Sequence, residues 1–331
     1  MKVLATGKGP LFSDPDPDRA RAFFATKSRA LIDKETTIED AVARFVYDGD
    51  YLAVGGFGAV RVPMAGVFEI VRQGRKHMVF AGHTSTFDCM ILAAGEVFDR
   101  CDIAYVIGLE ARGLSRTSRR YFESGKVRIC EWTNFGMTCR LTAAADGVPF
   151  ALSRTTLGTD TFARSAARIV ECPFTGKPFV AFPALYPDVS IIHVHEADKH
   201  GNCYSRGINV ADDFLARASR RVIVTAERIV DTEVFRRDPN RTHIPYFCVD
   251  AVVEVPYGSY PGNMPFSYYS DEAHIRSWLD AENEEGGIER FLQRYVLDPR
   301  DFSEYLALCG GTKRMAALER LERLTGQAPG G

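Results

Sequence analysis

The chain has 331 residues, of which 46% are hydrophobic and 25% charged, as in an ordinary globular enzyme with one large α/β domain or two smaller ones. The formal net charge of −2 argues against nucleic acid or an anionic membrane as a partner. No apolar run approaches the roughly 20 residues needed to cross a bilayer, and the proline-rich amino terminus lacks the apolar core of a signal peptide. We therefore expect a cytoplasmic protein.

Eight cysteines are scattered along the chain, and no two of them have CxxC spacing. In a long chain from a reducing compartment, such thiols mostly serve as small apolar fillers. The sequence therefore predicts neither a disulfide framework nor a metal site.

Residues 1–35 differ in character from the rest of the chain. The stretch 13–18 alternates aspartate with proline and cannot form a strand, and a short basic amphipathic stretch follows it. We interpret residues 1–35 as a flexible or loosely docked arm, and residues 36–331 as one domain with a charged helical tail. The first helix of that domain is predicted to begin near Thr37, a residue type that caps helices.

A strand, a glycine-rich bend and a helix follow one another after residue 50. Residues 51–54 are a continuous apolar run of strand length, and apolar residues recur at helical spacing from Met64 on. Between them lie three glycines, Gly55, Gly56 and Gly58. Such a bend lets a ligand reach backbone N–H groups without meeting side chains. A tight turn that merely needs small residues is the alternative, and GxGxxG, the dinucleotide fingerprint, is absent.

Short apolar strands alternate with helices through the rest of the chain. Strands are predicted at 77–81, 103–107, 127–131, 178–182, 188–195, 221–226 and 249–255, and helices at 91–97, 116–123, 137–145 and 212–220. This alternation predicts an α/β fold, an open and mainly parallel sheet with helices on both faces. Ligands of such sheets bind at the carboxyl ends of the strands, which is where the bend lies.

The segment 48–63 resembles the first signature of the type I CoA-transferase family. An Asp-Gly pair, an apolar strand, Gly-Gly-Phe at 55–57 and a proline at 63 follow in the family's order. The signature usually has glycine where this chain has Arg61, a departure that the glutaconate CoA-transferase branch tolerates near that position. Later segments agree in order and spacing, so the resemblance covers about residues 36–310; they are 172–178, 188–202, 224–230, 236–239 and 249–258.

The resemblance implies an α-type subunit of a two-subunit, hetero-oligomeric enzyme that uses CoA and acyl-CoA as substrates without a permanently bound cofactor. In this family the second subunit, of β type, carries a glutamate that attacks an acyl-CoA thioester, and the resulting anhydride is opened by CoA thiolate. The glutamyl thioester then passes CoA to a second acid. The glutamate motif is not found in this chain, so we assign it no nucleophile; Glu110, near a predicted strand end, is only a candidate.

Two segments are predicted to line the substrate site. Backbone N–H groups of the bend, at Gly56, Phe57 and Gly58, are candidate donors to a substrate carboxylate or an oxyanion. Arg61 is a candidate partner for the second carboxylate of a dicarboxylic acid, although a lone arginine in a loop is more often a surface or interface salt-bridge residue. The hydroxyls of a second segment are candidate carboxylate ligands or, equally, a helix cap; they belong to Thr84, Ser85 and Thr86.

One position bears on the type of reaction. Ring-cleaving hydrolases of the same superfamily resemble this chain but carry an acid in the turn after the strand 127–131, where we find Asn134. An amide cannot take a proton from water as a carboxylate can. The sequence therefore favours CoA transfer, with a CoA-thioester or ring-cleaving hydrolase as the alternative.

Overall fold

The computed structural model of the protein describes residues 1–106, 108 and 112–324. Its strands, in chain order, are β1 Val3–Thr6, β2 Tyr51–Val54, β3 Met78–Gly82, β4 Phe98–Ile103, β5 Arg128–Glu131, β6 Phe150–Ser153, β7 Arg168–Glu171, β8 Pro178–Pro183, β9 Val189–Ala197, β10 Cys203–Tyr204, β11 Arg221–Ile229 and β12 Ala251–Glu254. Its α-helices are α1 Pro17–Phe24, α2 Ile38–Phe45, α3 Met64–Arg72, α4 Phe87–Ala94, α5 Arg116–Glu123, α6 Asn134–Ala145, α7 Asp160–Arg164, α8 Asp212–Ala218, α9 Glu233–Arg237, α10 Glu272–Ala281, α11 Gly287–Leu292, α12 Phe302–Leu308 and α13 Gly311–Glu322.

The predicted α/β fold is confirmed by the central sheet. Its strand order is β12-β11-β9-β2-β3-β4-β5, with every neighbouring pair parallel, and the short β10 adds to β9 in the antiparallel direction. Strand β2 lies in the middle, so its residues are buried on both faces and form the continuous apolar run seen in the sequence. Separate apolar clusters cover the two faces of the sheet.

A second sheet, of four antiparallel strands in the order β1-β7-β8-β6, was not predicted. In β8 the side chains of Val180 and Phe182 are buried and pack with the central core. These strands have only four to six residues each, which is too few for the alternation of apolar and polar residues to be distinctive.

The segment 1–35 packs on the body of the chain, which corrects the expectation of a loosely docked arm. Strand β1 pairs with β7, and α1 is capped by Asp16 from the aspartate-proline stretch. Lys27 forms a 2.7 Å ion pair with Asp250, and Lys34 donates to a backbone carbonyl at 2.7 Å. Contacts so distant in sequence leave no periodic pattern in the segment itself.

The strand predicted at 103–107 was placed too late in the chain. Strand β4 is Phe98–Ile103 and pairs with β3 from Met78 onward, while residue 107 lies outside the described residues. Three charged residues interrupt the apolar pattern of β4, namely Asp99, Arg100 and Asp102. Asp102 is nevertheless buried, because it forms an ion pair with Arg140 of α6 at 2.6 Å.

The carboxyl-terminal helices share the core of the sheet. Trp278 of α10, Tyr305 of α12 and Leu318 of α13 belong to the same apolar cluster as Phe68 of α3 and Phe80 of β3. In the part of the chain that the structure describes, no helix combines the length and the apolar character needed to span a bilayer.

Candidate active site

The glycine bend begins where β2 ends, at the carboxyl edge of the parallel sheet. Gly55 still donates its N–H to Ile191 O of β9 at 2.8 Å. Beyond it the backbone is left-handed at Gly56 (φ +84°), Gly58 (φ +66°) and Arg61 (φ +56°). The two glycines adopt this conformation without steric cost, whereas an arginine does so only if its surroundings hold it there.

The tip of the bend is a tight turn between Phe57 and Val60. Each of these residues donates its N–H to the carbonyl oxygen of the other at 3.0 Å. A Cβ atom on Gly58, at the tip, would meet no atom within 4 Å, whereas one on Gly56 would lie 2.5 Å from Val60 O. The base of the bend is therefore tightly packed, whereas its tip, although Gly58 is buried and Ala59 half-buried, leaves free space beside Gly58.

The segment that follows β3 holds one side of the turn. Gly58 donates its N–H to Thr84 O, and the Thr86 hydroxyl donates back to Gly58 O, both at 2.8 Å. Thr86 is the first residue before α4, but its hydroxyl does not cap that helix. The expected hydroxyl cap is thus replaced by a contact with the bend.

The hydroxyls of this segment all have partners within the chain. Thr84 Oγ1 donates to His83 O at 2.9 Å. The buried Asp88 carboxyl, whose pKa burial raises to about 6, is hydrogen-bonded by the Ser85 hydroxyl and the Thr86 N–H. A substrate carboxylate needs hydrogen-bond donors. These hydroxyls already donate to acceptors within the chain, so in this structure they shape the bend and do not point to such a ligand.

A loop near the carboxyl terminus holds the other side of the bend. Asn263 donates its N–H to Ala59 O at 2.7 Å and accepts the Arg61 N–H at 2.8 Å. Its side-chain amide in turn donates to Glu322 of α13 at 3.1 Å. The helical tail therefore supports the bend.

Arg61 lies beneath the bend and not at its open tip. The residue is only 1% exposed. Its Nη1 pairs with the Asp212 carboxylate, and both Nε, at 3.1 Å, and Nη2 donate to Ile208 O. The prediction that Arg61 binds a substrate carboxylate therefore needs correction, since its guanidinium is buried and occupied within the chain.

Most of the backbone donors predicted in the bend are also occupied. Gly56 donates to Asp212 Oδ1 at 2.9 Å, and the bonds given above use the N–H groups of Phe57 and Gly58. Among residues 55–61, only the Ala59 N–H donates to no acceptor in the part of the chain that the structure describes. Ala59 lies beside Gly58 at the open tip, so the bend presents one free donor.

His83 and Asn134 lie beside the bend. His83 packs edge-on against the Phe57 ring, with 5.9 Å between centroids. Its Nε2 lies 2.9 Å from the backbone O of Asn134 at the start of α6; because a carbonyl only accepts, that nitrogen carries the proton. Burial lowers the pKa of His83, with the bond to Asn134 opposing, so the ring is neutral near pH 7.

The side chain of Asn134 has an unusual environment. Its Oδ1 is buried and has no hydrogen-bond partner among the described residues, although buried polar atoms are nearly always paired. The predicted site residues of the bend, of 84–86 and of Asn134 are thus brought together at one edge of the sheet, while Glu110 lies outside the described residues.

Sequence analysis missed two residues that shape the bend. Asp212 and Asn263 contact it directly, yet they lie far along the chain in segments without a recognisable motif. Only the parallel pairing of β2 with β9 brings the loop before α8 next to the bend.

The coenzyme A transferase family model matches residues 35–255. The chain belongs to this family. An uncharacterized protein of Archaeoglobus fulgidus is 48% identical over 98% of this chain and 73% of its own length. One subunit of the glutaconate CoA-transferase of Acidaminococcus fermentans is 32% identical over 85% of this chain and 93% of its own length.

The structural comparison agrees with the sequence comparison. The crystal structure of glutaconate coenzyme A-transferase from Acidaminococcus fermentans superimposes with a TM-score of 0.81, at 30% identity, over 86% of this chain and 95% of that one. The IpdA subunit of the cholesterol ring-cleaving hydrolase of Mycobacterium tuberculosis is 28% identical over 80% of this chain and 93% of its own length. The family resemblance inferred from residues 36–310 is therefore confirmed.

Proposed function

We propose that the protein is the α-type subunit of a heteromeric CoA-transferase that moves CoA between an acyl-CoA and a small carboxylic acid. The observation that carries this proposal is the bend at 55–61, which is held on three sides by the chain itself and keeps one open donor at its tip. A fixed donor stabilises an oxyanion without reorganising during the reaction. The similarity to the glutaconate CoA-transferase of Acidaminococcus fermentans supports the same conclusion.

The proposal assigns the nucleophile to a partner chain. In the first step a glutamate of the partner attacks the thioester carbonyl, the C–S bond breaks, and CoA leaves as a thiolate. The thiolate then attacks the glutamyl carbonyl of the anhydride, which releases the first acid and leaves a glutamyl thioester. The second acid takes CoA by the reverse sequence.

In this scheme, residues 55–61 form one wall of the pocket. The Ala59 N–H is proposed to donate to the oxyanion that develops on a thioester or anhydride carbonyl, and neutral His83 to line the adjacent wall. The cavity that this chain alone encloses behind the bend, between Gly55, His83 and Asp212, measures about 10 Å³. A cavity of this size is too small to hold a substrate, which is compatible with a site that a second subunit completes.

The identity of the acid is also a proposal. With Arg61 and the three hydroxyls engaged inside the chain, a dicarboxylate such as glutaconate is supported by similarity to the Acidaminococcus fermentans enzyme and no longer by those side chains. The absence of a permanent cofactor and the cytoplasmic location predicted from the sequence stay parts of this proposal.

Asn134 supports transfer over hydrolysis. Its side chain beside the bend is an amide that cannot act as a general base toward water. A site that accumulates an acyl-enzyme must keep water from reacting with it, so an amide in place of a carboxylate suits transfer.

An exchange assay tests the proposal directly. The chain is incubated with acetyl-CoA and glutaconate, alone and then with the protein encoded beside it, and the thioesters are separated by HPLC. We expect glutaconyl-CoA only when both proteins are present. Consumption of acyl-CoA without an acceptor acid would instead assign hydrolysis, and exchange by the single chain would mean that it holds its own nucleophile.

A further inference from the structure

We propose that Asp212 and Arg61 together are positioning residues that set the shape of the bend for catalysis. This inference rests on the proposed function. It adds a residue, Asp212, that no signature of the sequence indicates, and it gives Arg61 a role different from substrate binding.

The Asp212 carboxylate binds both ends of the bend at once. Its Oδ1 accepts the N–H of Gly56, the first left-handed residue, at 2.9 Å. Its Oδ2 pairs with Nη1 of Arg61, the last left-handed residue. One buried side chain therefore determines how far apart the two ends lie, and with them the direction of the Ala59 N–H at the tip.

Arg61 needs this contact to keep its own backbone conformation. Its φ of +56° is one that residues with a Cβ rarely adopt. The guanidinium is held at Asp212 and at Ile208 O, and the backbone N–H at Asn263 O. An arginine can thus stand where the family signature usually has a glycine, because side-chain bonds replace the freedom of glycine.

The same contacts tie the bend to the loop before α8. Ile208 accepts from Arg61, and Asp212 donates its N–H to Asn209 Oδ1 at 3.2 Å. Ile208 itself is 57% exposed. Both the loop and the bend therefore depend on one buried ion pair, whose disruption leaves an unpaired buried charge.

A control pair exists at the opposite end of β2. Asp50, the residue before the strand, pairs with Arg221 at 2.7 Å, and both side chains are mostly buried. The chemistry equals that of Asp212 with Arg61, but the pair lies at the amino edge of the sheet. A change at Asp50 reports the cost of losing a buried Arg–Asp pair without altering the bend.

The test compares Asp212→Ala with Asp50→Ala in the full-length chain and in its complex with the partner. Hydrogen–deuterium exchange of a peptide covering 55–61 measures the order of the bend, and exchange kinetics measure kcat and KM separately. For Asp212→Ala we expect the peptide to exchange about tenfold faster and kcat to fall about tenfold, as for loss of the Ala59 donor, with a smaller change in KM. Asp50→Ala should leave both readouts within about twofold of the wild type.

A rescue variant separates positioning from mere stability. The double change Arg61→Gly with Asp212→Asn removes both charges, supplies a residue suited to φ +56°, and keeps an acceptor for the Gly56 N–H. We expect its kcat to return to within about threefold of the wild type. A double variant as slow as Asp212→Ala, or an Asp212→Ala variant with unchanged exchange at 55–61, would overturn the inference.

The two proposals fail in different ways. If the wild-type complex transfers no CoA to any acid, the proposed function is wrong. The hydrogen-exchange comparison of Asp212→Ala with Asp50→Ala, which needs no substrate, still decides whether Asp212 holds the bend.

Discussion

Each end of strand β2 has a left-handed glycine and a buried Arg–Asp pair, but the two ends differ in the backbone structure that these residues stabilise. Gly49 before the strand and Gly56 after it both have φ +84°, and each end has a mostly buried Arg–Asp pair. A Cβ on Gly49 would meet nothing within 4 Å, whereas the same atom on Gly56 would overlap the bend. At the amino end these parts close a turn; at the carboxyl end they hold an irregular backbone in one shape.

This difference shows that a preorganised site can be recognised by the number of contacts that restrain its backbone. Irregular backbone is costly unless it is held from several sides. The amino end needs its Arg–Asp pair for stability alone. The carboxyl end also uses Thr84, Thr86 and Asn263, more restraint than a connecting turn requires.

The largest expected effect comes from a buried ion pair that contacts the first residue of β2. Asp102 accepts hydrogen bonds from the Tyr51 hydroxyl at 2.5 Å and from the Trp132 indole at 2.8 Å, in addition to its ion pair with Arg140. Asp102→Ala leaves the Arg140 charge buried and unpaired, so we expect the free energy of unfolding to fall by about 3–5 kcal/mol. Chemical denaturation measures this loss.

The matched control for that change lies on the same strand. Asp99 forms exposed ion pairs with His77 and Arg100, and Asp99→Ala should cost no more than about 1 kcal/mol. Equal losses for the two variants would show that the buried Asp102 network stabilises the chain no more than an exposed ion pair does.

The second prediction exchanges the two glycines for alanine. Gly49→Ala should cost about 1–2 kcal/mol, because alanine disfavours a left-handed backbone, and it should leave CoA transfer intact. Gly56→Ala should cost about 1–3 kcal/mol more, because its Cβ overlaps Val60 O, and it should abolish most transfer. Denaturation and the exchange assay check the pair, and equal activities would contradict the distinction between the two ends.

The third prediction concerns acid. Burial lowers the pKa of His195, on β9, to about 4, while its Nε2 contacts Pro265 O at 2.8 Å. Below its unfolded value of 6.5 the unfolded chain binds a proton that the native chain does not, so stability falls as the pH falls. Between pH 7 and pH 5 we expect this residue to contribute a loss of about 2 kcal/mol.

The variant His195→Gln should remove that part of the pH dependence and leave the contribution of other histidines unchanged. Denaturation curves of both proteins at pH 7 and pH 5 provide the test. At the amino end of β2, burial raises the pKa of Asp50. Through this residue a lower pH should therefore increase the stability of the native chain, opposite to the effect of His195. Identical pH profiles for wild type and variant would exclude the role of His195.

The smallest expected effect tests the free donor at the tip. Ala59→Pro removes its N–H but keeps the carbonyl that accepts from Asn263, and the preceding Gly58 tolerates a following proline better than other residues do. We expect kcat to fall about tenfold, the loss of one donor in a partly open site. Ala59→Gly, which keeps the N–H, should transfer CoA at nearly the wild-type rate; if it slows as much as the proline variant, the donor role is excluded.

Local patterns were sufficient to predict the elements around the bend. Helix α5 has the predicted bounds, and β2, β8 and β11 begin where the apolar runs begin. The prediction for strand β4 was misplaced because a buried aspartate, Asp102, is of a residue type expected at the surface. Strand β1 was not predicted because four residues are too few to show a periodic pattern. Both errors arise where a distant partner, Arg140 or β7, decides the local structure.

For the candidate site, the sequence by itself determined the family, the α/β alternation and the place of the bend, because glycine positions and apolar runs are local properties of the chain. Tertiary structure alone decided which groups face a substrate. It turned Arg61 and the hydroxyls of 84–86 inward, left the Ala59 N–H without an acceptor among the described residues, and brought Asp212 and Asn263 to the bend. Such assignments depend on which distant segments meet at the sheet edge, and no local pattern records that.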